Sequence, residues 1–84
     1  MATVIVTPAA LVQFAELPKA MKPRMLRLTE RLERWPDVSG ARPLSGKLAG
    51  RHRLRTGDYR LQFRIEGAAV VIEKIGHRDR FYDG

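Results

Sequence analysis

Apolar residues recur at helical spacing in the first part of the chain and alternate with polar residues further on. The β-branched run at 2–6 predicts a first strand. Thr7 and Pro8 then predict the start of a helix, with Thr7 as the N-cap and Pro8 in the first turn. The side chains expected to pack inward from this helix are Leu11, Phe14, Ala15 and Leu17.

A second apolar stripe, with spacings of three and four, predicts another helix over 19–35. Pro23 predicts a kink or a late start, and Pro36 is expected to end this helix. The following segment, 37–50, has no clear period and is interpreted as a connection. The apolar stripe consists of Met21, Met25, Leu28, Leu32 and Trp35.

The remainder of the chain has the period of strands. Gly57 and Gly67, each beside an acidic residue, separate strand-like runs and predict two tight antiparallel turns. The run 69–75 is apolar except for Glu73 and Lys74, which predicts a central strand covered on both faces. We therefore expect one α+β domain over 1–84, with an N-terminal strand, a two-helix hairpin and a three-stranded antiparallel meander. The sheet is expected to be mainly antiparallel, with both helices on one face.

Alternation also sorts the side chains of the first two meander strands. Tyr59, Leu61 and Phe63 share the side expected to face the core, whereas the arginines point the other way. If the two strands pair as a hairpin, five arginines lie on one surface. These are Arg51, Arg53, Arg55, Arg60 and Arg64.

The charge of the chain is concentrated in the same region. The net charge is +7, and the segment 42–64 holds seven basic residues against Asp58 alone, a local net charge of +6. Such clustering indicates a polyanionic partner, most simply nucleic acid. The alternative is a basic surface that maintains solubility.

Other features of the composition exclude several kinds of site. The absence of cysteine excludes disulfides and cysteine zinc sites, and no phosphate-binding loop pattern is present, so no metal or cofactor is expected. No apolar run reaches the length of a membrane helix and no signal peptide is visible, which predicts a cytoplasmic protein.

The available chemistry suits metal-independent RNA cleavage. Attack of the 2′-hydroxyl on the adjacent phosphorus needs a base, an acid and stabilisation of charge on the phosphoryl oxygens. Guanidinium groups can stabilise that charge, whereas proton transfer suits a histidine or a tyrosine, such as His77 or Tyr82. His77 is also compatible with a turn residue that caps the sheet. His52 is expected to face the core or the edge of the sheet, and Tyr59 is expected to face the core.

Several of these residues form a familiar pattern. Gly-Asp-Tyr-Arg at 57–60, followed by Gly-His-Arg at 76–78 and then Tyr82, resembles the RelE/ParE superfamily of bacterial toxin–antitoxin modules. The predicted strand and helical hairpin agree with it, so the resemblance covers nearly the whole chain. It implies the RelE-like microbial RNase fold and a cognate antitoxin that lies across the toxin. It also implies one of two activities: RelE toxins cleave mRNA in the ribosomal A site, and ParE toxins poison DNA gyrase.

The resemblance assigns roles by position. It implies that Arg60 and Arg78 bind or stabilise the scissile phosphate, and that Tyr82 stacks on or orients the nucleotide. The catalytic set of RelE also includes the positions of Arg51 and Arg53, where the type member has lysines. Arginine stays charged in proteins, so another general base is needed, and His77 is the candidate. The residues expected to contact RNA or the ribosome are Arg51, Arg53, Arg55, Arg64, Lys47 and Arg80.

We therefore expect a bacterial, cytoplasmic toxin that acts as a ribosome-dependent mRNA endoribonuclease. Its expected partners are an antitoxin, the ribosome and mRNA, with no membrane and no small-molecule cofactor. Arg60, Arg78 and Tyr82 together favour this activity over that of a gyrase inhibitor without nuclease activity. A third hypothesis is a nucleic-acid-binding module without catalytic activity.

Overall fold

Five strands form a single sheet in a computed structural model of the chain, which describes residues 1–81. The strand order is β1-β5-β4-β3-β2, with β1 parallel to β5 and the other pairs antiparallel. The predicted α+β fold with a mainly antiparallel sheet is confirmed. The strands are β1 (Thr3–Val6), β2 (Arg42–Pro43), β3 (Arg51–Thr56), β4 (Tyr59–Glu66) and β5 (Ala69–His77).

Two helices connect β1 to the rest of the sheet. Helix α1 spans Pro8–Ala15, and the Thr7 hydroxyl oxygen accepts a hydrogen bond from the Ala10 N–H at 3.2 Å, which confirms the predicted N-cap. Helix α2 spans Lys22–Arg31 and continues as a 3₁₀ turn over Leu32–Arg34. The prediction of 19–35 was therefore too long. Pro23 is tolerated only in the first turn, and the residue before Pro36 adopts an extended conformation.

Both helices cover one face of the sheet, and the core lies between them and the strands. Met25, Leu28 and Leu32 of the predicted stripe are buried there. The prediction for α1 was partly wrong, because Ala10 is buried whereas Leu11 and Ala15 are exposed. A helix of eight residues carries apolar side chains on more than one side, so its packing against β5 selects the buried side. The sheet contributes Leu54, Leu61, Phe63, Val70, Ile72 and Ile75 to the core.

The connection before β3 contains more structure than its sequence predicted. It includes the short edge strand β2, in which Arg42 pairs with Arg53, and a 3₁₀ turn over Gly46–Leu48. A strand of two residues has no period to detect. The two predicted turns are confirmed, with Gly57 and Gly67 at φ of 59° and 57°. Within residues 1–81, neither helix has the length and hydrophobicity needed to cross a membrane.

The central strand β5 contains a β-bulge. Opposite β4, Gln62 pairs with Lys74 and Phe63 pairs with Ile72, which leaves Glu73 as an extra residue. As a result Glu73 and Lys74, although adjacent, both turn away from the helices. This explains why the sequence of β5 does not alternate. Val70, Val71 and Ile72 are buried in succession, and β5 lies between β1 and β4, as predicted for a central strand.

Candidate nucleic-acid interface

The side chains of β3, β4 and β5 that point away from the helices form one surface, which we call the arginine face. Strand register places Arg51 opposite Arg64 and Arg55 opposite Arg60, with Arg53 between them opposite Gln62. The prediction that five arginines share one surface is confirmed. The charged and amide side chains of the arginine face are Arg51, Arg53, Arg55, Arg60, Gln62, Arg64, Glu66, Glu73 and Lys74.

One end of the arginine face is held by Glu73. Its carboxylate oxygens accept hydrogen bonds from Arg51 Nε and Arg64 Nη1, each at 2.8 Å, and from Gln62 Nε2 at 3.3 Å. Burial raises the pKa of Glu73, but the hydrogen bonds from Gln62, Arg64 and Arg51 outweigh it and leave the pKa below its usual range. Glu73 is therefore a carboxylate at neutral pH, and it offsets part of the arginine charge.

Arg64 has a second acidic partner. Its Nε donates to Glu66 Oε1 at 3.1 Å, in addition to its bond with Glu73. The hydrogen bonds to Glu73 and then to Glu66 raise the pKa of Arg64. Arg51 and Arg64, both predicted to contact RNA, are each hydrogen-bonded to a carboxylate of the protein, and about a third of each side chain remains exposed.

The other end of the arginine face lies beside the turn between β3 and β4. Arg55 is exposed there, and Arg53 and Arg60 are half-buried. Arg60 pairs with Gly76 of β5, and the Arg78 N–H donates to the Asp58 carbonyl at 2.8 Å. Arg60 and Arg78 therefore belong to the same end of the sheet, as the carried-over roles require.

Arg78 is held less firmly than the arginines that bind Glu73. Its Nε lies 3.7 Å from Asp58 Oδ1 and 3.6 Å from Asp79 Oδ1, and 57% of its side chain is exposed. Ion pairs with this geometry in water contribute little to stability. The Arg78 guanidinium can exchange these partners for an external anion at small cost.

Phe81 lies against Lys74 and Gly76, at this end of the arginine face. Its ring is buried, and Lys74 Nζ lies 4.8 Å from the ring centroid in a cation–π contact. The ring lies against Gly76, where a Cβ would be 3.6 Å from Phe81 Cδ1, an ordinary van der Waals contact. Tyr82, which follows Phe81, lies outside the described residues.

His77 lies on the opposite side of the sheet from Arg60, but its Nδ1 is 3.5 Å from Asp79 Oδ2, and the same carboxylate lies 3.6 Å from Arg78 Nε. His77 pairs with Tyr59 in the strand register, and their rings meet edge to face at 5.1 Å on the helix side of the sheet. Its Nδ1 accepts a hydrogen bond from the Asp79 N–H at 3.2 Å. This geometry favours the turn-capping interpretation over the role of general base on a substrate held by Arg60.

The remaining predicted residues lie in the core or in turns. His52 faces the core, as expected, stacked on Phe63 and in contact with Trp35. Lys47 is exposed on the 3₁₀ turn between β2 and β3, and Arg80 is exposed in the turn after β5. Neither side chain belongs to the arginine face. Among residues 1–81, no group of three or more acidic or histidine side chains could hold a metal ion.

Sequence reasoning missed Glu73 and Lys74 as members of the arginine face. Strict alternation allows only one of two adjacent residues to point to a given side. The available signal was the interruption of an apolar strand by two charged residues in succession, which a bulge accommodates.

The comparison with protein families identifies the chain. The model of the ParE toxin of the type II toxin–antitoxin system parDE matches residues 4–82. The chain belongs to the RelE/ParE superfamily of type II toxins. The resemblance found in the sequence is thereby confirmed. No curated protein matches the chain significantly.

Solved structures agree with this assignment. The toxin–antitoxin complex RelBE2 from Mycobacterium tuberculosis contains a chain that is 32% identical, with a TM-score of 0.80 and with 92% of this chain and 98% of that chain covered. The isolated RelE toxin from E. coli is 11% identical, with a TM-score of 0.76 and with 92% of this chain and 84% of that chain covered. A chain of the YoeB–YefM complex from Staphylococcus aureus is 17% identical, with a TM-score of 0.73 and with 92% of this chain and 97% of that chain covered. The last two similarities are evidence for the fold alone.

Proposed function

We propose that this toxin is a metal-independent endoribonuclease that cleaves mRNA in the ribosomal A site and so inhibits translation. The observation that carries the proposal is the register of β3 and β4, which gathers five arginines on one face of a RelE-like sheet. A cluster of this kind suits a phosphodiester backbone, because each guanidinium can donate two parallel hydrogen bonds to phosphate oxygens.

The chemistry assigns distinct roles within the arginine face. Arg53 and Arg60 bind the phosphate that is attacked by the 2′-hydroxyl, and they stabilise the charge that develops on its oxygens. Arg78, at the same end of the sheet, contributes a further guanidinium. Tyr82 stacks on or orients the nucleotide. Permanently charged groups suit this task, since they need no metal ion to neutralise the phosphoryl oxygens.

A cognate antitoxin is the expected protein partner in the bacterial cytoplasm. RelBE2 and YoeB–YefM are both toxin–antitoxin complexes. On this chain an apolar groove lies between the helices and β1, with Leu11 and Leu26 at its exposed margin. A segment of the antitoxin that carries apolar anchors and acidic side chains fits both this groove and the net charge of +7.

Inhibition of DNA gyrase is the second candidate function. It is favoured by the family model, which describes ParE toxins. Such a toxin would bind a protein and would need no phosphate-binding arginines. The two candidates therefore differ in how they respond to loss of Arg60.

Primer extension on a defined mRNA in a cell-free translation reaction tests the nuclease. We expect cuts only during translation, and a decrease of about 10²–10³-fold in cleavage for Arg60→Ala and Arg78→Ala, the cost of removing one preorganised donor to the transition state. Arg27→Ala removes an exposed arginine of α2 and serves as the matched control, which should cleave normally. Growth arrest without any cuts would overturn the proposal, and gyrase supercoiling would then be assayed.

A further inference from the structure

Glu73 lies on a surface that is dominated by arginine side chains. Its side chain is only 16% exposed, and both of its carboxylate oxygens accept hydrogen bonds from guanidinium groups. The β-bulge turns the Glu73 side chain toward Arg51 and Arg64. Without the extra residue, strict alternation would place Glu73 and Lys74 on opposite faces of the sheet. The contact is thus a product of backbone geometry as well as of charge.

The same guanidinium donors are the groups that a nucleic-acid phosphate would use. Arg51 Nε and Arg64 Nη1 each point at a Glu73 oxygen at 2.8 Å, and Gln62 adds a third hydrogen bond. A phosphate that bound there would have to displace a carboxylate that is already in place, and would leave Glu73 close to the incoming negative charge. Both effects oppose binding at this end of the arginine face.

We propose that Glu73 determines where a polyanion binds on the arginine face, by withholding Arg51 and Arg64 from the phosphodiester backbone. The bound strand is thereby restricted to the end beside the turn between β3 and β4, where the exposed Arg55 lies. This inference rests on the proposed function, in that the arginine face binds a nucleic acid. It assigns Arg51, which the family resemblance placed in the catalytic set, to a structural pair instead.

Salt dependence of RNA binding provides the test, because its slope counts the phosphates that are neutralised. A short, labelled uridine oligonucleotide is titrated with wild type, Glu73→Gln and Glu66→Gln over a range of KCl concentrations. Glu66→Gln is the charge-matched control. It also removes one negative charge beside Arg64, but the carboxylate that is lost is 59% exposed at the end of β4. Thermal melting of each variant reports any loss of folding separately.

We expect Glu73→Gln to bind more tightly at low salt and to steepen the slope by roughly 0.7 to 1.4, or about 0.7 for each added contact with single-stranded RNA. Glu66→Gln should leave the slope near that of wild type. Arg51→Gln should change the affinity of wild type less than about twofold, but should reverse much of the added slope in the Glu73→Gln background.

The possible outcomes separate this inference from the nuclease. Equal slopes for wild type and Glu73→Gln, equal changes in both glutamate variants, or no binding by any of them would overturn the assignment of Glu73. A steeper slope for Glu73→Gln alone would support it even if the translation assay showed no cleavage. A merely structural role for Glu73 would lower the melting temperature without steepening the slope.

Discussion

Strand alternation alone does not reveal the partner of an arginine in this protein. Arg51 and Arg53 lie on the same face of β3, and Arg51 is hydrogen-bonded to Glu73, which is distant in sequence. Alternation places a side chain on a face, but its partner depends on the neighbouring strand. The functional predictions for individual arginines were therefore less secure than the prediction of the arginine face as a whole.

The Glu73 network predicts a pH dependence of stability. Its carboxyl has a lower pKa in the folded state than in the unfolded chain, so its contribution is fully present above the unfolded pKa of about 4.3 and is lost as the pH falls through the folded value. The urea midpoint of wild type should exceed that of Glu73→Gln by a constant amount from pH 7 to about pH 5. The gap should close below about pH 4.

The comparison of the two proteins isolates this one carboxyl from the other groups that titrate in acid. Urea titrations at each pH give the midpoints. A gap that stayed the same from pH 7 to pH 3 would show that the cost of the substitution comes from packing and not from the ionised carboxylate.

At the level of elements, the turns and the ends of helices were predicted more accurately than the buried side of α1. A turn depends on local backbone conformation, and a glycine at positive φ satisfies it without help from the rest of the fold. The buried side of a short helix depends instead on the surface against which it packs. Leu11, exposed in the groove, and Ala10, buried against the sheet, show the difference.

The two-residue turn between β4 and β5 provides a prediction at this scale. Gly67 has φ of 57° and open space around its Cβ position, so Gly67→Ala should cost about 1 kcal/mol from backbone strain alone. Gly76→Ala is the control, because its Cβ would make ordinary van der Waals contact and its φ is not positive. Urea unfolding compares the two, and an equal loss in both would show that strain in the turn is not the cause.

Across the whole molecule, the two faces of the sheet differ in chemistry. The helices cover one face, and the other face carries the arginines. The apolar groove lies beside β1, at the edge of the sheet, where Leu26 and Leu11 remain exposed. Under the proposed function, this separation would let a nucleic acid and an antitoxin be recognised by different chemistry on the same small protein.

Leu26→Glu should therefore weaken antitoxin binding by roughly tenfold or more, because it places a charge in an apolar contact. Val12→Glu is the matched control, since Val12 is an exposed apolar residue of α1 that does not line the groove. Calorimetric titration with the antitoxin encoded in the same operon measures both. Unchanged affinity for Leu26→Glu, or an equal loss for Val12→Glu, would place the antitoxin elsewhere.

The sequence by itself determined the α+β class, the two tight turns, the N-cap at Thr7 and the gathering of five arginines on one face. These features follow from local periodicity and from residues with strong backbone preferences. Only the tertiary structure decided that β1 is parallel to β5, that α1 buries Ala10, and that Glu73 turns toward Arg51 and Arg64. Each depends on contacts between residues far apart in the chain, and for such contacts the local pattern contains no information.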